Sequence, residues 1–412
     1  MASAIMPSSS VSLQLSARDP SGSASGDTSS PRILELDGLR GIAIGLVLAC
    51  HYLSRTEHSS LPSWLRKLVS ATNIGWSGVD LFFVLSGFLI GGILLNFRDS
   101  PRYFRTFYLR RVHRILPIYY LWIILYLAFY SLTLFITRPP GPGLRYDLLA
   151  VPIQALFLQN VIFREFSFPH GWFAVTWSLA VEEQFYLFVP LLIRILSLRR
   201  LVIFLLASIV LAPFARLFAL HLWPGTLASM ILLPCRSDAL AIGVLLAVAW
   251  REQHFRRWVS VHRSLLRYLL ALLVLGATGM LPLLVGGLNP FHISVGYSWF
   301  AFLYGCLLLL AVSHPDGRLG RVLRWRPMRS LGAISYCVYL IHCTVLLYLF
   351  RWVHHTEPHL DSLVSVVTIS AALIGTLALA TLSWRFLEQP LIHRGRHYSY
   401  REPDPQRLFT GS

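Results

Sequence analysis

The stretch LDGLRGIAIGLVLACHY, residues 36–52, sets Arg40 and His51 in a single apolar run. Further along, Asp80 opens GVDLFFVLSGFL, and Glu182 and Glu183 interrupt TWSLAVEEQFYLFVPLL. Arg236 and Asp238 sit in CRSDALAIG, and His342 in ISYCVYLIHC. Ionisable groups inside apolar runs commonly mark a functional site. A histidine with a carboxylate nearby is the minimal apparatus of general-base catalysis. The carboxylate fixes the tautomer and stabilises the imidazolium, while the histidine takes a proton from a hydroxyl. The same pair could form a proton relay in a transporter, and residue types alone do not separate the two. For Asp80 and Asp238 a plain helix–helix hydrogen bond is an equally good account. Arg236 need not pair with Asp238, because i,i+2 side chains diverge on a helix. Glu182 and Glu183 point about 100° apart, so only one is expected to face a pocket.

A second group of residues suggests anion binding. YLRRVHRILPIYY places Arg110, Arg111, His113 and Arg114 at the start of an apolar run. Arginines in such places serve as topology signals and snorkel to the interface. They could also clamp a phosphorylated ligand, with Arg40 at a similar depth. The five cysteines, Cys50, Cys235, Cys306, Cys337 and Cys343, all lie within apolar runs. None has zinc-like spacing, so the sequence points to no metal site.

The elements that must hold these residues are membrane helices. The chain has 412 residues, 55% of them apolar and only 13% charged, which fits no soluble domain. Its formal charge of +17 is spread in short clusters between apolar runs, a pattern that argues against a nucleic-acid partner. Lys67 is the only lysine. Candidate spans are 36–55, 74–97, 115–137, 174–198, 201–222, 228–250, 268–287, 294–313, 330–352 and 362–387, with 147–163 ambiguous. If 147–163 does not cross, most arginines fall on one side. That side holds the clusters at 98–114, 199–200, 251–267 and 318–329, with Arg394, Arg396, Arg401 and Arg407. The other holds Arg55, Arg66, Lys67, Arg138, Arg145 and Arg164. By the positive-inside rule the chain is an all-α polytopic bundle of ten spans with both termini cytoplasmic. The segment 147–163 becomes a re-entrant or surface helix covered by protein. Residues 1–31, rich in Ser and Gly, read as a disordered cytoplasmic tail, 32–392 as the integral-membrane domain, and 393–412 as a basic cytoplasmic tail. This topology puts His51, Asp80, the glutamates, Arg236, Asp238 and His342 toward the outer half. Arg40 lies about 16 Å from His51 along the helix axis, near the cytoplasmic edge.

These stretches together resemble the membrane acyltransferase 3 family. LDGLRGIAIGLVLACHY is similar to its first-span motif and GVDLFFVLSGFLIGGIL to its second. FYLRRVHRILPIYY carries the family's R-x-x-R element as Arg111 and Arg114. TWSLAVEEQFYLFVPLL matches the glutamate motif, and RSDALAIG, ISYCVYLIH and SWRFLEQPL follow in the family's order. Cys343 stands where the family often has proline. No esterase-like domain follows residue 390, so the sequence resembles the stand-alone members.

The resemblance implies an O-acyltransferase with no permanently bound cofactor and an acyl-CoA, in the first instance acetyl-CoA, as donor substrate. The acceptor is a hydroxyl of a carbohydrate, lipid-linked sugar or small molecule, or the acyl group passes to a partner protein. It implies His51 as the catalytic histidine, Glu182 or Glu183 as its paired acid, and Arg40, Arg111 and Arg114 as donor-binding residues. Asp80 is a further catalytic candidate, and Arg236, Asp238 and His342 are candidate pocket residues. A bacterial inner membrane is the expected location. A transporter or flippase of a lipid-linked sugar is the competing class; it leaves the ordered motifs unexplained.

Overall fold

The computed structural model describes residues 33–137, 151–162, 172–280, 290 and 292–401. Among these residues there is no β-strand, only an isolated bridge between Glu57 and His359. The protein is an all-α membrane bundle. Eight helical spans are long and apolar enough to cross a membrane, and nine if Gln253–Val261 and Arg263–Gly279, bent by 73° at their junction, form one broken span. The expected span 174–198 is the helix Thr176–Ile195. It has the length to cross, but Glu182, Glu183 and Gln184 lower its hydropathy. The expected tail 1–31, Arg138, Arg145 and Arg164 lie outside the described residues.

Helix α1 (Leu34–Ala49) runs into a π-helical turn at Cys50–Ser54. A short helix α2 (Ser63–Ala71) leads through a 3₁₀ turn into α3 (Gly78–Asn96). Then come α4 (Tyr103–Thr137), α5 (Thr176–Ile195), α6 (Leu198–Leu222) and α7 (Leu233–Arg251). Beyond the bent pair lie α8 (Tyr297–Ser313), α9 (Arg318–Arg324), α10 (Arg326–Ala333), α11 (Ser335–Val353) and α12 (Leu363–Ser383). A π-turn at Trp384–Glu388 joins α12 to α13 (Gln389–Arg396).

Glycine sets two of the closest helix crossings. In α1, Gly38 lets α9 approach so near that a Cβ there would stand 2.2 Å from the Leu323 carbonyl oxygen. At the α3–α7 crossing, Cβ atoms on Gly87 and Gly243 would stand 2.1 Å from Leu240 O and 2.3 Å from Val84 O. Lipid tails are as apolar as the side chains, so close backbone contact of this kind is a main source of helix adhesion in membranes.

The described part of 147–163 is no span. Residues 151–155 and Gln159–Ile162 are helical, and Phe157 between them has a φ of 54°. Gln154, Gln159 and Asn160 are fully buried. The Tyr119 hydroxyl donates to Gln154 O, Gln159 Nε2 donates to Thr176 O, and Asn160 Nδ2 donates to Ile231 O. The segment's polar side chains are thus covered by protein and hydrogen-bonded, as polar groups at membrane depth must be.

The described C-terminal segment packs against the bundle. Arg110 Nε donates to Tyr398 O at 2.8 Å, Thr106 Oγ1 donates to Ser399 O at 2.9 Å, and Tyr400 stacks on Phe97 at 4.3 Å. Residues 393–401 thus fold back on the start of α4.

Candidate active site

Three arginines converge on one pocket. Arg40 comes from the second turn of α1, and Arg111 and Arg114 lie one turn apart on α4. Opposite them stand Ser86 on α3, Glu182 and Tyr186 on α5, and Tyr336 and Tyr339 on α11. The pocket encloses about 810 Å³ not filled by protein atoms, open space at its mouth included. Arg40 Nη1 lies 3.4 Å from Asp37 Oδ1. Arg111 lies over the ring of Tyr186, 5.0 Å from its centroid, and the Tyr186 hydroxyl shares a hydrogen bond of 2.5 Å with Ser86 Oγ. Among the described residues neither Arg111 nor Arg114 forms an ion pair. Like charges repel unless an anion lies between them, so the cluster is suited to a ligand carrying several negative charges. Of the two adjacent glutamates, Glu182 lines this pocket and Glu183 does not.

The histidines occupy a separate place along the same interior. In the π-turn after α1 the Arg55 N–H donates to Cys50 O, five residues back. Such widened turns re-aim side chains and recur at functional sites. Here the turn brings His51 against α11, with Nδ1 3.3 Å from His342 Nε2 and the two rings edge-on at 4.9 Å. Tyr52 of the same turn pins α11 by donating to His342 O at 3.1 Å, and its hydroxyl also meets Thr376 Oγ1 at 2.9 Å.

The backbone around the pair assigns the tautomers. His342 Nδ1 lies 2.7 Å from Tyr339 O, a carbonyl that can only accept, so Nδ1 carries the proton and Nε2 is the acceptor. His51 Nδ1 lies 3.0 Å from Val47 O and faces that acceptor nitrogen, so it too is protonated. His51 Nε2 then keeps a free lone pair. Among the described residues no carboxylate hydrogen-bonds to His51. Glu182 stands with the arginines instead, and the side chain facing His51 Nδ1 is His342.

The two places meet at Tyr339. Its ring lines the arginine pocket and lies 5.8 Å from the His342 ring, and its hydroxyl is held by Ser178 Oγ at 2.5 Å and Val175 O at 3.1 Å.

The remaining candidates do not line the pocket. Asp80 pairs with Arg236 at 2.6 Å, both 1% exposed, and the Arg236 guanidinium stacks 4.0 Å from the Tyr297 ring centroid. Asp238 pairs with Arg216 at 3.0 Å. Arg216 also donates to Ser294 O, Cys235 O and Ser298 Oγ. The sequence reading passed over Arg216, although an arginine in the middle of an apolar run was signal enough. Tyr186, Ser86, Tyr336 and Tyr339 carried no such signal, since tyrosine and serine are common in membrane helices. Glu388, 3% exposed and bound by Ser383 Oγ at 3.1 Å, lies in the SWRFLEQPL motif but had not been singled out.

Fold and site define a polytopic membrane protein with an arginine-lined pocket and a histidine pair along one bundle interior. The family model described as "Acyltransferase domain" matches residues 33–385, and the chain belongs to that family. It is 30% identical over 394 residues to the "Putative peptidoglycan O-acetyltransferase YrhL" of Bacillus subtilis, covering 89% of this chain and 56% of the relative. The peptidoglycan O-acetyltransferase OatA of Listeria monocytogenes is 27% identical over 372 residues, with coverage of 87% and 56%. The O-acetyltransferase OatA of Staphylococcus aureus is 27% identical over 392 residues, with coverage of 89% and 58%. The chain therefore spans a little over half the length of these relatives. No solved structure matches it.

Proposed function

We propose that the chain is an integral-membrane O-acyltransferase that moves an acetyl group from acetyl-CoA to a hydroxyl of a carbohydrate. One observation supports this most: a pocket with two unpaired arginines shares an interior with a histidine whose Nε2 is free to act as a base. The coenzyme A phosphates suit Arg40, Arg111 and Arg114, since guanidinium groups bind phosphate by paired charge-assisted hydrogen bonds. The pantetheine arm then runs past Tyr339 toward His51, a distance of about 16 Å by helix rise. With both termini cytoplasmic, the donor enters at the arginines and the acceptor at the histidines.

At His51, Nε2 takes the proton of the acceptor hydroxyl, whose oxygen attacks the thioester carbonyl. The carbon–sulfur bond breaks, and the coenzyme A thiolate recovers the proton from the imidazolium. His342 supports the imidazolium through Nε2, while Tyr339 O holds His342 in the required tautomer. The names of the relatives favour a cell-wall sugar as acceptor.

The test is covalent. Purified protein given labelled acetyl-CoA and a hydroxylated sugar should form a labelled ester. Movement of substrate across a vesicle membrane with no ester formed would contradict the proposal. Label trapped on His51 in the absence of acceptor would replace direct attack by an acyl-histidine relay.

A further inference from the structure

Cys343 stands beside the histidine pair and plays no part in the reaction above. Its Sγ lies 3.3 Å from His342 Nε2, the same distance that separates Nε2 from His51 Nδ1. Ligand atoms of His51, His342 and Cys343 all lie within 4.8 Å of one another. A tetrahedral ion held at about 2.0–2.1 Å by nitrogen and 2.3 Å by sulfur sets its ligand atoms roughly 3.3–3.5 Å apart. Two edges of this triangle already have that length, leaving the third to close on binding.

The surroundings also fit. Tyr339 O holds the Nδ1 proton of His342, which presents Nε2 as a ligand and orients the ring, the usual arrangement behind a metal-bound histidine. Tyr52 fixes the backbone of α11 at His342 itself. Two imidazoles and one thiolate select a borderline-soft ion such as Zn²⁺ or Co²⁺ over Mg²⁺ or Ca²⁺.

We propose that His51, His342 and Cys343 form a binding site for a soft divalent transition-metal ion, with the fourth position open to water. Binding releases the thiol proton of Cys343 to solvent. It also displaces the Nδ1 proton of His51, whose ring then carries its single proton on Nε2. That tautomer has no free lone pair at Nε2, so the ion would switch off the base. This last consequence alone rests on the proposed acyl transfer; the binding site does not.

The probe is Co²⁺ titrated into the purified full-length protein in detergent, followed by displacement with Zn²⁺. The wild type should show one equivalent of Co²⁺ with a thiolate-to-metal charge-transfer band and the intense visible bands of a tetrahedral ion. Cys343→Ser and Cys343→Ala should each lose the charge-transfer band and weaken binding by about tenfold or more, a loss of the size seen when lesser supporting groups are removed. Cys337→Ser, which alters a thiol outside the cluster, should leave the spectrum unchanged and shows that a membrane thiol can be replaced without unfolding. No tetrahedral Co²⁺ signal in the wild type, or the same band in both Cys343 variants, would overturn the proposal. Zn²⁺ should also inhibit ester formation in the wild type and spare Cys343→Ser. The binding arm needs no substrate, so failure of the acyl-transfer reading would leave its result standing.

Discussion

Asp80 and Arg236 allow a structural role to be told from a catalytic one. Both are 1% exposed and joined at 2.6 Å. Asp80 Oδ2 and the Nε and Nη1 of Arg236 have no other hydrogen-bond partner. Asp80→Ala leaves a buried guanidinium with no carboxylate, a change that typically costs about 3–5 kcal/mol. The Tyr297 face at 4.0 Å remains as partial compensation, of order 2 kcal/mol when desolvated. The loss should therefore fall near 1–3 kcal/mol, or roughly 5- to 150-fold in the folding equilibrium. Asp238→Ala should cost less, because Arg216 keeps Ser294 O, Cys235 O and Ser298 Oγ. In the double variant Asp80→Ala/Arg236→Met the stranded charge is gone, and most of the loss should be recovered. Reversible unfolding in mixed micelles measures all four proteins. A double variant as unstable as Asp80→Ala would refute the reasoning, and so would an Asp80→Ala protein of wild-type stability.

Other expectations follow from the same geometry. Arg111→Ala and Arg114→Ala should each weaken binding of coenzyme A, measured by calorimetry, by about 10- to 100-fold, the value of a charge-assisted hydrogen bond of about 1.5–3 kcal/mol. Tyr186→Phe removes the hydroxyl held by Ser86 at 2.5 Å but keeps the ring under Arg111; donor affinity should fall less than in the arginine variants. Gly87→Ala places a methyl 2.1 Å from the Leu240 carbonyl oxygen, and forcing α3 from α7 should cost about 1–3 kcal/mol, read as a lower unfolding midpoint.

The apolar runs made the all-α membrane class legible. The family motifs named the arginines and histidines that line the interior. Pairing was harder to read, because it depends on which helices become neighbours. Asp80 and Arg236 are 156 residues apart and meet only because α3 crosses α7 at Gly87 and Gly243. Glu182 or Glu183 was expected to pair with His51, and helix periodicity could not show that α5 turns Glu182 toward the arginines. Cys343 reads in the sequence as a small apolar residue with no ligand at zinc-like spacing. Its partners come from α11 itself and, across the bundle, from a π-turn, a geometry that no linear spacing encodes. The span count differed for a local reason, since three consecutive polar residues in α5 mask a helix of sufficient length.

The central claim is that donor binding and chemistry sit at separate places along one interior. The most direct measurement compares coenzyme A binding and acetyl transfer in His51→Ala. Binding should persist at wild-type strength while ester formation falls by about 10²- to 10⁴-fold, the usual contribution of a general base. Full transfer by His51→Ala, or loss of donor binding together with activity, would contradict the account.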